Sequence, residues 1–182
     1  MLNNQLILTA NKFNPGLFME QSFSTKTVED AEDSFVDAKE RLLDVNHWGR
    51  YCSAPGVTFG LSDGHNRPVS RRARSGDHLT LNIPGSEVCC LIIESLEYDD
   101  YPDLSMETFT LRLKPCMHSM EAEEENDNEA SAALIIERRY STVFSVFNFR
   151  NPANSGVSGD NVFASFGLKD IQWNSLLSRF VS

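Results

Sequence analysis

The stretch GDHLTLNIPGSEVCCLIIESLEYDD, Gly76–Asp100, decides how the chain is read. Leu79, Leu81 and Ile83 alternate with His78, Thr80 and Asn82, the period-two pattern of a strand with one buried face and one wet face. Pro84-Gly85 ends that strand, because proline lacks the donor a ladder needs and glycine permits the reversal. The run VCCLII is apolar at successive positions, which predicts a strand covered on both faces, central in a sheet or lying beneath a helix. Together these make a hairpin-like strand pair through the core. Consecutive side chains on a strand point to opposite faces, so Cys89 and Cys90 are read as small hydrophobes packing in different layers. A vicinal disulfide would need a strained backbone, and a metal site would need spaced ligands.

Upstream, VTFGLS places Val57, Phe59 and Leu61 inward and is followed by the turn signal Asp63-Gly64. Downstream of YDDYPDLSM, Phe109, Leu111 and Leu113 alternate with Thr108, Thr110 and Arg112 until Pro115 stops the run. ASAALIIERR and STVFSVFNFR, rich in β-branched and aromatic residues and joined around Arg139 to Ser141, read as an antiparallel pair. A further strand is expected between Leu6 and Phe23. The period changes to 3.6 in TKTVEDAEDSFVDAKERLLDV, where Val28, Ala31, Phe35, Ala38, Leu42 and Val45 draw one stripe. Thr27 can cap that helix, and Asn46 and Gly49 break the pattern, with Trp48 plugging the turn against the core. GLKDIQWNSLLSRFV forms a closing helix whose buried stripe runs through Leu168, Ile171 or Gln172, Trp173, Leu176, Leu177 and Phe180.

Strands in succession with helices at the ends imply an α+β fold: a curved antiparallel sheet of about six or seven strands packed on a long C-terminal helix and an N-terminal helix. A small β-barrel or sandwich with two flanking helices fits the same strand count. No 20- to 50-residue period repeats, which argues against a solenoid or propeller.

A chain of 182 residues suits one domain. Its formal net charge is -10, and six of those charges belong to EAEEENDNE, Glu121–Glu129, leaving about -4 for the rest. Residues 117–131 are expected to form a mobile acidic loop, too poor in apolar residues to offset the entropy of ordering. Nucleic acid is disfavoured as a partner despite the basic cluster RPVSRRARSGDH, Arg67–His78. The first residues lack the pattern of a signal peptide, and no window is long and apolar enough for a membrane span. Four cysteines and no Asn-x-Ser/Thr sequon fit a reducing, cytoplasmic location.

No zinc-protease, phosphate-loop, dinucleotide or serine-hydrolase motif occurs. His47 lies five residues before Cys52 and His118 two after Cys116, but proximity in sequence is a weak sign of a cysteine–histidine nucleophile. Asp63, His65, Asp77 and His78 are explained by turn and strand-end chemistry, since alternation separates Asp77 from His78. The acidic run lacks the spacing of a calcium loop. No catalytic residue, metal ligand or cofactor is assigned. Twelve phenylalanines are a rich supply, and Phe144, Phe147 and Phe149 with Val143 and Val146 put aromatics on both faces of one strand. A curved sheet with a helix across its mouth can leave an apolar cavity, for which Trp48, Phe59, Leu111, Phe147, Phe149 and Trp173 are the expected wall. The polar connection NPANSGVSGDNVFASFG would serve as its gate.

The helix ending in DVNHW, the antiparallel sheet and the closing helix around Trp173 resemble the START-like helix-grip fold of lipid carriers and polyketide cyclases. That resemblance implies a cavity between closing helix and sheet with small apolar guests. The pieces AKERLLDVNHW, FGLSDGHNRPVSRRARSGDHLTLNIPG, ASAALIIERR and GLKDIQWNSLL are similar to segments of a family of uncharacterised bacterial proteins. Where that family would carry a glycine-rich, aromatic-acidic segment, this chain has SEVCCLII. Where it would carry His-Gly-Arg-Asn-Glu, this chain has Asn148, Phe149, Arg150, Asn151 and Pro152, so no catalytic residue is transferred. The leading expectation is non-catalytic binding of a small hydrophobic molecule. The rivals are a protein-interaction or homo-oligomerising module with a filled core and charged patches, and an enzyme of unknown reaction.

Overall fold

A computed structural model describes residues 18–86, 88–116, 131–150 and 170–182. The acidic segment 117–130, the polar connection 151–169 and the stretch from Leu6 to Gly16 lie outside the described residues, as does Leu168. The elements in chain order are β1 (Phe18–Ser24), α1 (Val28–Leu43), α2 (Trp48–Tyr51), β2 (Thr58–Ser62), β3 (His78–Asn82), β4 (Cys89–Tyr101), β5 (Met106–Pro115), β6 (Ser131–Arg139), β7 (Thr142–Arg150) and α3 (Asp170–Val181). All seven strands join one antiparallel sheet in the order β1-β7-β6-β5-β4-β3-β2. Its outer strands, β1 and β2, do not pair with each other, so the sheet is open and curled round the helices rather than closed as a barrel or doubled as a sandwich. This is the α+β helix-grip arrangement.

The α1 helix begins as its sequence dictates. Thr27 Oγ1 accepts from the Asp30 N–H at 3.0 Å, and Glu29 and Asp30 place negative charge in the first turn. Ala31, Phe35, Ala38 and Leu42 form its buried stripe. After Asp44 the chain does not simply stop. A 3-10 turn, Val45–His47, feeds the single turn α2, which drops Trp48 into the core with its Nε1 donating to the Arg41 carbonyl at the end of α1. Asn46 ties this corner to the sheet side, donating to Val69 O at 2.8 Å and accepting from Leu61 N at 3.0 Å.

The β3–β4 pair is the expected hairpin. Its turn runs Ile83-Pro84-Gly85-Ser86, with Gly85 at φ 82° and the Ser86 N–H donating to Ile83 O, the requirement of a type II turn. Leu79, Leu81, Leu91 and Ile93 face the helices and are buried. The expectation that both faces of VCCLII are covered is corrected. Val88 is 62% exposed, and Cys90 and Ile92 on the outer face are only half-buried, because no described element covers that face here. Beyond Ile93 the register slips by one residue at a bulge, with Ile93 opposite Leu113 but Ser95 opposite Arg112. The extra residue, Glu94, switches the inward set from odd to even numbers, so that Leu96 and Tyr98 reach the helix side instead of Ser95 and Glu97.

The described elements share one apolar core between the sheet's inner face and the helices. Leu111, at the centre of that face, is fully buried, whereas Thr110 beside it points to the opposite face. Leu111→Ala is expected to lower the unfolding free energy in urea by about 2–5 kcal/mol, and Thr110→Ala to change it by less than about 0.5 kcal/mol. Equal effects at the two positions would refute the assignment of faces.

Candidate functional site

The α3 helix lies on the inner face of β1 and β7 and against α1. Its stripe Trp173, Leu176, Leu177 and Phe180 is buried as its spacing predicts. Polar bonds among the described residues help to hold it: Ser145 Oγ donates to Leu177 O at 2.7 Å, Arg41 Nη1 to Phe180 O at 2.8 Å, Ser175 Oγ to Tyr51 O at 3.2 Å, and Gln21 Nε2 to Asn174 Oδ1 at 3.2 Å. Ser145 is a buried polar residue between Val143 and Phe147 on the inner face of β7, and its bond to the helix is what satisfies it. Nothing in the local pattern of STVFSVFNFR distinguishes that hydroxyl from a solvent-facing one.

All six residues expected to form a cavity wall lie in the core, none more than 9% exposed. They form two aromatic groups. At the corner made by α2, Trp48 meets Phe59 edge to face at 5.5 Å and Phe180 at 5.6 Å between ring centroids. At the other group, Trp173 lies almost flat on Phe147, 4.2 Å apart and 11° from parallel, with Phe149 two residues further along the same face of β7. Leu111 stands on β5 of the same sheet face.

Three further groupings were not legible in the sequence. On the outer face, Phe18, Met106, Ile135, Phe144 and Val146 line a hollow of about 190 Å³, with Arg139 over the Phe144 ring at 5.1 Å and paired to Glu137. At the end of the sheet beside the β4–β5 turn, the buried Arg138 pairs with Glu107 at 2.6 Å and Glu32 at 3.6 Å, and Tyr98 Oη donates to Glu107 at 2.9 Å. Partial desolvation of the half-exposed Tyr98, and then the Glu107 carboxylate, push its phenol up to about 12. Third, His78, Cys90 and Cys116 come together on the outer face, with Cys90 and Cys116 joined as a disulfide. That corrects the reading of Cys90 as a packing hydrophobe. Cys89 does face the core side and packs there, and burial pushes its thiol up.

The other candidate pairs are separated or differently engaged. His47 Nδ1 contacts Asp44 at 2.7 Å, while Cys52 is buried. His118 lies outside the described residues. Three arginines of the basic cluster are paired with carboxylates: Arg67 with Asp63, Arg71 with Asp77 and Arg72 with Glu40. Asp63 builds the β2–β3 turn by accepting from the backbone N–H groups of Arg67 and His65 and from the Arg67 side chain. The Arg67 backbone bond, helped by those others, lowers its carboxyl to about 2. Burial pushes the Asp77 carboxyl up, but the Arg71 guanidinium and the Arg74 N–H outweigh it and hold the group below the usual range.

No family model and no curated protein matches the chain. Among solved structures, a protein from Mycobacterium smegmatis is similar over 91% of this chain and 87% of its own, at 12% identity and a TM-score of 0.46. A protein from Staphylococcus epidermidis is similar over 92% and 91%, at 11% identity and a TM-score of 0.41. Norcoclaurine synthase from Thalictrum flavum is similar over 100% and 94%, at 8% identity and a TM-score of 0.40. At these values no residue's role passes from them to this chain. Among the described residues no helix is long and apolar enough to cross a membrane.

The two aspartates fix the sign of the acid response. Their folded carboxyls titrate below the unfolded value of about 3.9, so their stabilisation is full above that pH and is lost as pH falls through the folded values. Stability measured by urea unfolding is therefore expected to fall between about pH 4 and pH 2, with a shallower fall in Asp63→Asn. An unchanged slope in that variant would remove Asp63 from the account.

Proposed function

We propose that the protein binds a small hydrophobic molecule, without chemistry, between the inner face of the sheet and α3. Trp48, Phe59, Leu111, Phe147, Phe149 and Trp173 would form the wall. The observation that carries this reading is the contact of α3 with the sheet, where Trp173 lies as a flat ring on Phe147 with 4.2 Å between ring centroids. A parallel aromatic pair is an apolar surface beside which a guest can lie at little polar cost. Trp48 with Phe59 and Phe180 would close the other end. None of the six side chains can titrate near neutral pH, which supports binding over catalysis.

An interaction module is the second reading, and the outer-face hollow favours it. Phe18 there is 43% exposed on an edge strand, beside Phe144 and Ile135.

A native mass spectrum of the chain purified from a bacterial host, followed by a denatured spectrum of the same sample, separates the two. The binding reading expects a stoichiometric adduct of small-molecule mass that vanishes on denaturation. A clean chain mass accompanied by a dimer peak overturns it in favour of the interaction module. In Trp173→Phe, which keeps an aromatic ring in the core, adduct occupancy should fall further than thermal stability does. Equal loss of both would make Trp173 a core residue only.

A further inference from the structure

The outer face of the sheet where β3, β4 and β5 meet gathers three metal-ligating side chains that the apolar core does not use. His78 opens β3, Cys90 lies near the start of β4, and Cys116 directly follows β5. Strand register brings them together. Thr80 is the partner of Cys90, so His78 sits one outer-face step away, and the Cys116 N–H donates to Cys90 O at 3.1 Å, setting the two cysteines side by side with Cα atoms 5.4 Å apart. One donor atom from each of the three lies within 4.8 Å of the other two. All three residues are half-buried, sheltered yet open to a reagent.

A second feature concerns the imidazole. His78 Nδ1 is 2.7 Å from Asn66 Oδ1, and Asn66 is held in the β2–β3 connection at φ 60° with its own N–H on Asp63 O. A carbonyl acceptor on Nδ1 fixes the proton there and leaves the Nε2 lone pair free, which is the arrangement that orients a metal-binding histidine.

We propose that Cys90, Cys116 and His78 form a redox-gated site for a thiophilic ion of the Zn²⁺ class, and that the disulfide is its oxidised, metal-free state. A dithiol reductant supplies two electrons and two protons to the Cys90–Cys116 bond, giving two thiols and becoming a disulfide itself. The ion then binds both sulfurs as thiolates and Nε2 as a neutral ligand, releasing the two thiol protons to solvent. Two sulfurs on tetrahedral zinc stand about 3.8 Å apart for Zn–S bonds of about 2.3 Å, so the freed sulfurs need only move apart by side-chain rotation. Two thiolates and an imidazole select Zn²⁺ over Mg²⁺ or Ca²⁺, which prefer oxygen, and leave a fourth position for water or another donor. In either redox state β4 and the end of β5 stay tied together, so the switch changes what the surface binds rather than the fold.

Cobalt(II) is the probe. The full chain is reduced anaerobically with dithiothreitol, freed of it, and titrated with Co²⁺. A thiolate-to-cobalt charge-transfer band saturating at one ion per chain, displaced by Zn²⁺ and missing from the oxidised protein, is expected. Asn66→Ala should weaken half-saturation by about 10- to 100-fold, and His78→Ala by at least as much, with unchanged circular dichroism. Cys89→Ser should leave the titration as it was. Three results would each overturn the proposal: no band in the reduced chain, unaltered affinity in His78→Ala, or a band that survives Cys90→Ser with Cys116→Ser.

Discussion

The structure depends on covering the inner face of β7. An open antiparallel sheet of seven strands has one face that must be shielded from water, and α3 supplies the cover along β1 and β7 while α1 supplies it along β6. Trp173, Leu176, Leu177 and Phe180 each contribute roughly 1.5–3 kcal/mol of apolar burial. That attraction has no direction. The Ser145, Gln21, Ser175 and Arg41 bonds supply what it lacks, a fixed rotation and depth of the helix on the sheet. Trp48 is wedged against the same helix through Phe180, so the α1–α2 corner and the C-terminal helix are packed as one unit.

The two faces of the sheet then take on different work by parity alone. Inward positions on β5, β6 and β7 are aliphatic or aromatic except Glu107, Arg138 and Ser145, and lead to the proposed binding of a hydrophobic guest. Outward positions carry the Arg139–Phe144–Ile135 surface and, at the β3–β4–β5 end, the His78–Cys90–Cys116 group. Cys89 and Cys90 show the division at its smallest scale, since adjacent residues face core and surface and so acquire different chemistry. Arg138 is the buried cation among the polar residues of the inner side. Its charge is tolerated there because Glu107, Glu32 and two backbone carbonyls surround it.

Periodicity alone determined the α1 stripe and its Thr27 cap, the Pro84-Gly85 turn, the inward residues of β2, β3 and β5, and the stripe of α3, because each depends on neighbours within a few residues. It also placed the six aromatic and aliphatic residues of the expected wall in the interior. What it could not determine are the features fixed by partners far along the chain. The Glu94 bulge is set by how β4 must match β5, and only that slip brings Leu96 and Tyr98 inward. The exposure of Val88 and the half-burial of Ile92 depend on whether any element happens to cover that face. Cys90 meets Cys116 across a separation of 26 residues, and Ser145 meets Leu177 across 32. Local patterning encodes which face a side chain takes; only the folded sheet, through register and coverage, decides what waits on that face.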